Sequence, residues 1–169
     1  TLNNSQCLDL KNKLNQFNLP CKIQNKQNIF DTEASSLLFL FIDCLLNPKL
    51  IKNINLLATS KFIEIELEEL LGNEISDKLE ILIFRFITWS QEIREKGFLN
   101  IINELLVHYN SSSIIQDTDL YSNLFQLSEI VEIELINNDF NINKVFKWYL
   151  NQLDNSLRIC TGEEYLTKE

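Results

Sequence analysis

Methionine is absent from this chain of 169 residues, histidine occurs once, glycine three times and proline twice. Each scarcity excludes a class of chemistry. One histidine and four scattered cysteines, Cys7, Cys21, Cys44 and Cys160, offer no Cys-x-x-Cys pair and no histidine cluster, so no recognisable zinc site is encoded. The glycines are Gly72, Gly97 and Gly162, and none sits in a G-x-x-x-x-G-K loop, so this chain has no cradle for ATP phosphates. The longest apolar run, Leu37 to Ile42 continuing past Asp43 to Leu46, is about half the ~20 residues that span a bilayer, and reads as a core helix rather than a membrane segment. No secretory leader precedes the cysteines, and reduced thiols in a cytoplasmic protein are expected.

Asp and Glu number 24 against 15 Lys and Arg, a formal charge of -9, which disfavours a surface coated by nucleic acid. The charge is uneven. Lys11, Lys13, Lys22 and Lys26 face only Asp9 before residue 30, whereas Glu64, Glu66, Glu68, Glu69, Glu74, Asp77 and Glu80 outnumber Lys61 and Lys78. With 45% apolar residues, the chain is long enough for one globular domain burying roughly 70% of its unfolded surface.

Apolar spacing predicts about eight helices in an irregular, mainly α bundle. Cys7, Leu10, Leu14 and Phe17 recur at helical steps until Pro20, and Leu19 to Ile23 reads as a brief strand. Asp31 to Ala34 opens a helix carrying Leu37, Leu38, Phe41, Ile42 and Leu45, which must be covered on nearly every side. Pro48 is placed at the start of a short helix through Ile51, Ile54 and Leu57. A helix is expected over 62–71, ended by Gly72, then one from Ser76 that buries Leu79, Leu82, Ile83, Phe86, Ile87 and Ile93 until Gly97, and another over 98–108. Asn110 to Ser113 reads as a loop. Two helices follow, one on Leu120, Leu124, Leu127, Val131 and Leu135, the other on Val145, Phe146, Tyr149, Leu150 and Leu153, with a turn at 137–139 between them.

Candidate chemistry is sparse. A catalytic thiol would have only His108 as its base, and buried structural cysteine is the commoner role. The glutamate cluster lacks a loop that would converge several oxygens on one cation, and reads as solvated surface. Trp89, Trp148 and Tyr149 could stack on bases, but aromatics at helical spacing are usually core. Asp43, inside the most apolar helix, calls for a structural hydrogen bond.

Several phrases, in order, resemble one family. Asn4 to Cys21 is similar to the segment after helicase motif IV of superfamily 1 DNA helicases, with Asn18 where the family usually has glycine. Ile29-Phe30-Asp31-Thr32-Glu33-Ala34 resembles the "V-F-x-T-x-E-A" phrase of the RecB family, the beta subunits of exodeoxyribonuclease V, and is followed by a leucine-rich helix and Asn47-Pro48. Leu56 to Ser60 is similar to that family's "a-L-A-T-s" segment, Trp89 through Gly97-Phe98 to its "W-x-x-x-G" helix pair, Leu120 to Val131 to its following helix, and Leu157 to Glu164 to the approach to motif V. The sequence departs where Asp117, Thr118 and Asp119 replace the family's Gly-Glu-Arg, and where Gln126 replaces its histidine.

The resemblance implies residues 1–30 as the margin of a RecA-like motor domain, 31–155 as a helical 2B-like subdomain, and 156–169 as a return segment, with a short β/α remnant at the ends. It implies a piece of a longer protein, in keeping with a chain that begins at Thr1 and ends at Glu169 without closing signals. The implied parent is an ATP-dependent 3′ to 5′ DNA helicase and nuclease of recombinational repair, working with gamma and alpha subunits. ATP, Mg and the nuclease would lie outside this segment, which is expected to have no catalytic residue, cofactor or metal of its own. Relatives touch duplex phosphates through a glycine turn of this subdomain, and the corresponding Thr59, Ser60 and Lys61 are the candidate DNA contacts. The other reading is a free-standing acidic helical module that binds protein.

Overall fold

The computed structural model describes residues 28–65 and 75–161, together with Lys13, Leu14 and Phe17; the side chains of 75, 76 and 156–161 are not described. The helix expected over residues 4–18, the strand near 19–23 and the segment beyond Thr161 therefore lie largely outside the described residues. Those that are described form a 3-10 turn, Ile29–Asp31, and seven α-helices with no strand: α1 Glu33–Leu46, α2 Ile51–Ala58, α3 Ile75–Lys96, α4 Phe98–Tyr109, α5 Ser112–Gln116, α6 Thr118–Asn137 and α7 Ile142–Thr161.

α1 is the central helix, because its apolar residues run almost around its circumference. It packs against α2, α3, α6 and α7, and buries Ala34, Leu37, Leu38, Phe41, Ile42, Cys44 and Leu45. Phe41 is the hub, with the rings of Phe86, Phe98, Phe62 and Trp89 at 5.2, 5.8, 5.9 and 6.1 Å in tilted or edge-on arrangements. Fully burying a side chain of this size contributes roughly 1.5–3 kcal/mol, and such ring pairs add to it. Asp43 meets the donors its position demands: Asn47 Nδ2 donates to Oδ1 at 2.8 Å and Asn53 Nδ2 to Oδ2 at 2.6 Å, tying α1 to α2.

α7 closes the other side of α1. Tyr149 is fully buried, its hydroxyl donating to the Ser35 carbonyl at 3.1 Å. That uses its one proton, so Ser35 Oγ is the donor in the 2.9 Å contact between the two hydroxyls. Phe30, Phe39 and Trp148 surround the pair.

Local chemistry revises three sequence expectations. Pro48 lies in a turn, and α2 begins three residues later, at Ile51. Residues 61–65 are turn and extended chain rather than the start of a helix: Glu64 has φ 60°, and the Ser111 hydroxyl donates to the Phe62 carbonyl. Only the first two residues of the serine cluster behave as a loop. Ser112 and Ser113 open α5, whose first turn is capped by Glu64, with the Ser113 amide at 3.0 Å from Oε1.

Gly97 turns the chain between α3 and α4 at φ 80°, ψ 150°, a conformation essentially reserved for glycine. Asp117, standing where the resembled family has glycine, is the N-cap of α6 and accepts from the amides of Asp119 and Leu120. The turn at 138–140 returns the chain to α7, its Asp139 carbonyl accepting from Arg94 at 3.0 Å. No helix among the described residues is long and apolar enough to cross a membrane.

Candidate functional site

The face worth attention follows from how α3 divides its apolar residues. Leu82, Phe86, Trp89 and Ile93, spaced four, three and four apart, are buried against the core. Ile81 and Phe84 stand outside that stripe and are 58% and 71% exposed. On neighbouring α4 the core takes Ile101, Ile102, Leu105 and Leu106, leaving Val107 80% exposed. Scattered exposed apolar residues are ordinary, but here they border two depressions.

The first depression, about 300 Å³, has walls of Ile63, Ile65, Ile81, Leu82 and Tyr109, with Lys78 and His108 also lining it. The second, about 240 Å³, lies farther along α3, between Phe84, Thr88 and Trp89, with Arg85, Lys96 and Glu104 lining it. Ile81 belongs to both. Burial pushes the Tyr109 hydroxyl above its usual range, with the Arg85 charge opposing the shift.

The charges at the second depression are organised. Lys96 Nζ sits 2.9 Å from Glu92 and 3.1 Å from Glu104, and its ammonium is held above the usual lysine range by those hydrogen bonds, Glu92 first. Trp89 Nε1 donates to the same Glu104 oxygen at 3.2 Å. Partial burial would raise the Glu104 carboxyl, but the hydrogen bonds from Lys96 and Trp89 outweigh it and leave the group below its ordinary value. Arg85 lies over the Trp89 ring, 5.7 Å from its centroid.

The candidate DNA contacts sit elsewhere, at the end of α2, and each has a partner within the molecule. Thr59 Oγ1 donates to the carbonyls of Asn55 and Leu56 at 3.2 Å, and Ser60 Oγ donates to Leu57 O at 2.7 Å. Lys61 Nζ is 2.7 Å from Glu33 Oε1, and Asp117 and Glu64 add to the negative field around it. A phosphate arriving there would meet three carboxylates for one ammonium.

The remaining candidates separate rather than converge. Cys44 is fully buried in α1, and burial followed by the Asp43 charge pushes its thiol from 9.0 to about 12. His108 is exposed on α4, its ring packed edge-on against Tyr109. Cys7 and Cys21 lie outside the described residues, as does the Cys160 side chain. Trp89 and Tyr149 are core, and Trp148 is half-buried against Phe30. Among the described residues no group of three His, Cys, Asp or Glu side chains is placed to hold a metal ion.

Sequence reasoning passed over Ile81 and Phe84 because it assigned one buried stripe to α3 and had no account of the apolar residues left over. Their excess was the available signal. No protein-family model, curated protein or solved structure matches this chain.

Proposed function

We propose that this chain is a helical accessory module that works by holding a protein partner rather than by chemistry. Its proposed setting is the one the sequence phrases imply: a 2B-like subdomain, with the margin of a RecA-like motor domain, in the beta subunit of an exodeoxyribonuclease V. There it would orient the gamma or alpha subunit while ATP hydrolysis, Mg binding and nuclease action proceed elsewhere in the parent.

The observation that carries the partner-holding role is the α3–α4 face, where two depressions meet at Ile81 beside an exposed Phe84 and Val107. Apolar surface of this kind, rimmed by polar groups, favours protein contact. The internal partners of Thr59, Ser60 and Lys61 weigh toward a protein rather than duplex DNA. The same face would serve a free-standing acidic interaction module, the second reading.

The coding DNA on either side separates the two. The RecB-type setting expects the reading frame to continue past Glu169 into a strand and an "I-H-K-S-K-G"-like motif, with ATP-binding motifs upstream. A stop codon directly after Glu169 would favour the free-standing module.

A further inference from the structure

The α3–α4 face offers two depressions in line, and their size, spacing and charge together specify an occupant. Resting on the reading of this face as a protein-docking surface, we infer that it takes an acidic amphipathic helix from a partner protein.

Size comes first. At about 300 and 240 Å³, the depressions lie at or below the lower limit for sites that enclose a small molecule or cofactor, and suit single large apolar side chains. Spacing follows from α3 itself. The first depression is lined by Lys78, Ile81 and Leu82, the second by Phe84, Arg85, Thr88 and Trp89. At 1.5 Å per residue their centres are about 9 Å apart along the helix axis, close to the roughly 10 Å between positions i and i+7 of a partner helix lying along α3.

Charge names the class. The groups lining the two depressions include Lys78, Arg85, Lys96 and His108 against a single carboxylate, Glu104. That carboxylate is already engaged by Lys96 and Trp89. Asp77 and Glu80 are exposed on the same helix but line neither depression. On a chain of formal charge -9, this concentrates base where the apolar anchors would enter. A partner helix with Leu or Phe on one face and Glu or Asp flanking it matches both features, and its basic counterpart would be repelled by the whole-molecule field. Nucleic acid fits less well, because the centre of the face is Ile81, Phe84 and Val107, with nothing to pair with phosphate.

The test uses the full chain and two fluorescein-labelled peptides of about 18 residues, equally helical, with Leu and Phe at i, i+3 and i+7. One carries Glu on its flanks and the other Lys at the same positions. In anisotropy titrations the acidic peptide is expected to bind at least about tenfold more tightly than its twin, and to weaken severalfold between about 50 and 300 mM salt. Phe84→Asp should cost about tenfold or more, and Lys78→Glu with Arg85→Gln should abolish the preference, with circular dichroism unchanged in each variant.

Equal binding of both peptides, with both lost in Phe84→Asp, would overturn the acidic class and leave the docking face standing. Indifference to Phe84→Asp, or no binding of the acidic peptide up to about 1 mM, would overturn both. Displacement of the acidic peptide from this face by low-micromolar duplex DNA would reassign the face to nucleic acid and overturn the inference.

Discussion

Glu132 on α6 caps α4 across the fold: its Oε2 accepts the Leu99 amide at 2.8 Å, supplying from 33 residues away the acceptor that Gly97, the N-cap, cannot. Glycine is required beside it for two reasons. Its φ of 80° with ψ 150° is unfavourable for other residues, and a Cβ there would stand 2.8 Å from Glu132 Oε1.

Glu132→Ala is therefore expected to destabilise the chain by about 1 kcal/mol, as loss of an N-cap usually does. Gly97→Ala should cost about 1–3 kcal/mol from backbone strain, with any displacement of Glu132 added. Urea denaturation checks both. If Gly97→Ala were neutral, the assigned turn geometry would be wrong.

The buried pair on α1 and α7 gives a second expectation. Tyr149→Phe strips the Ser35 carbonyl of its donor and the Ser35 hydroxyl of its acceptor, so a loss of about 1–3 kcal/mol is expected. Ser35→Ala in the Tyr149→Phe background should add much less than it does alone. A double-mutant cycle in denaturant measures this coupling, and additive losses would show that the two hydroxyls act independently.

Much of this was legible before any coordinate. Residues 33–46 read as a fully covered helix because their apolar side chains occupy every face, and Asp43 among them implied a buried acceptor that Asn47 and Asn53 satisfy. Gly97 read as an interruption because glycine marks where the helical path breaks. What stayed hidden depends on distant groups. The apolar pattern beginning at Phe62 looked helical, yet Ser111 and Ser113 draw residues 62–64 into another path through hydrogen bonds spanning 49 residues. The same contacts turn two loop-forming serines into the first turn of α5. The α3–α4 face was hidden for a simpler reason: periodicity reports that a residue is apolar, while its burial depends on whether the fold supplies a neighbour.

Alkaline pH gives a third expectation. Burial raises the Cys44 thiol to about 12 from an ordinary 9.0, and burial also raises the Tyr149 hydroxyl. For both groups the folded state holds its proton more tightly than the unfolded chain. Their stabilisation is complete below the unfolded pKa, near 9.0 for Cys44, and is lost as pH rises toward about 12. Denaturation midpoints should fall across that window, and Cys44→Ala should flatten the fall. A Cys44 that reacts with a thiol reagent at pH 8 in the native state, located by mass mapping, would contradict this burial.

The aromatic hub supplies a fourth. Phe41→Ala removes the ring shared by Phe62, Phe86, Trp89 and Phe98 and should cost about 3–5 kcal/mol, a large part of the 5–15 kcal/mol typical of a folded domain. Phe41→Leu should cost markedly less. The fully buried Trp89 reports on both in fluorescence-monitored unfolding.

The corner at the end of α2 supplies the fifth. Lys61 is ion-paired to Glu33 within an acidic surround, so Lys61→Ala should leave low-salt gel shifts with duplex DNA unchanged within about twofold. A salt-sensitive loss of about tenfold would restore Thr59, Ser60 and Lys61 as phosphate contacts.

Amide chemical shifts of the labelled chain, followed while the acidic helical peptide is added, test the central claim most directly. The account predicts perturbations concentrated at Lys78, Ile81, Phe84, Arg85, Val107 and His108, saturating with one peptide per chain. Perturbations centred instead on Leu50, Ile51 and Leu56, the exposed apolar residues at α2, would contradict it.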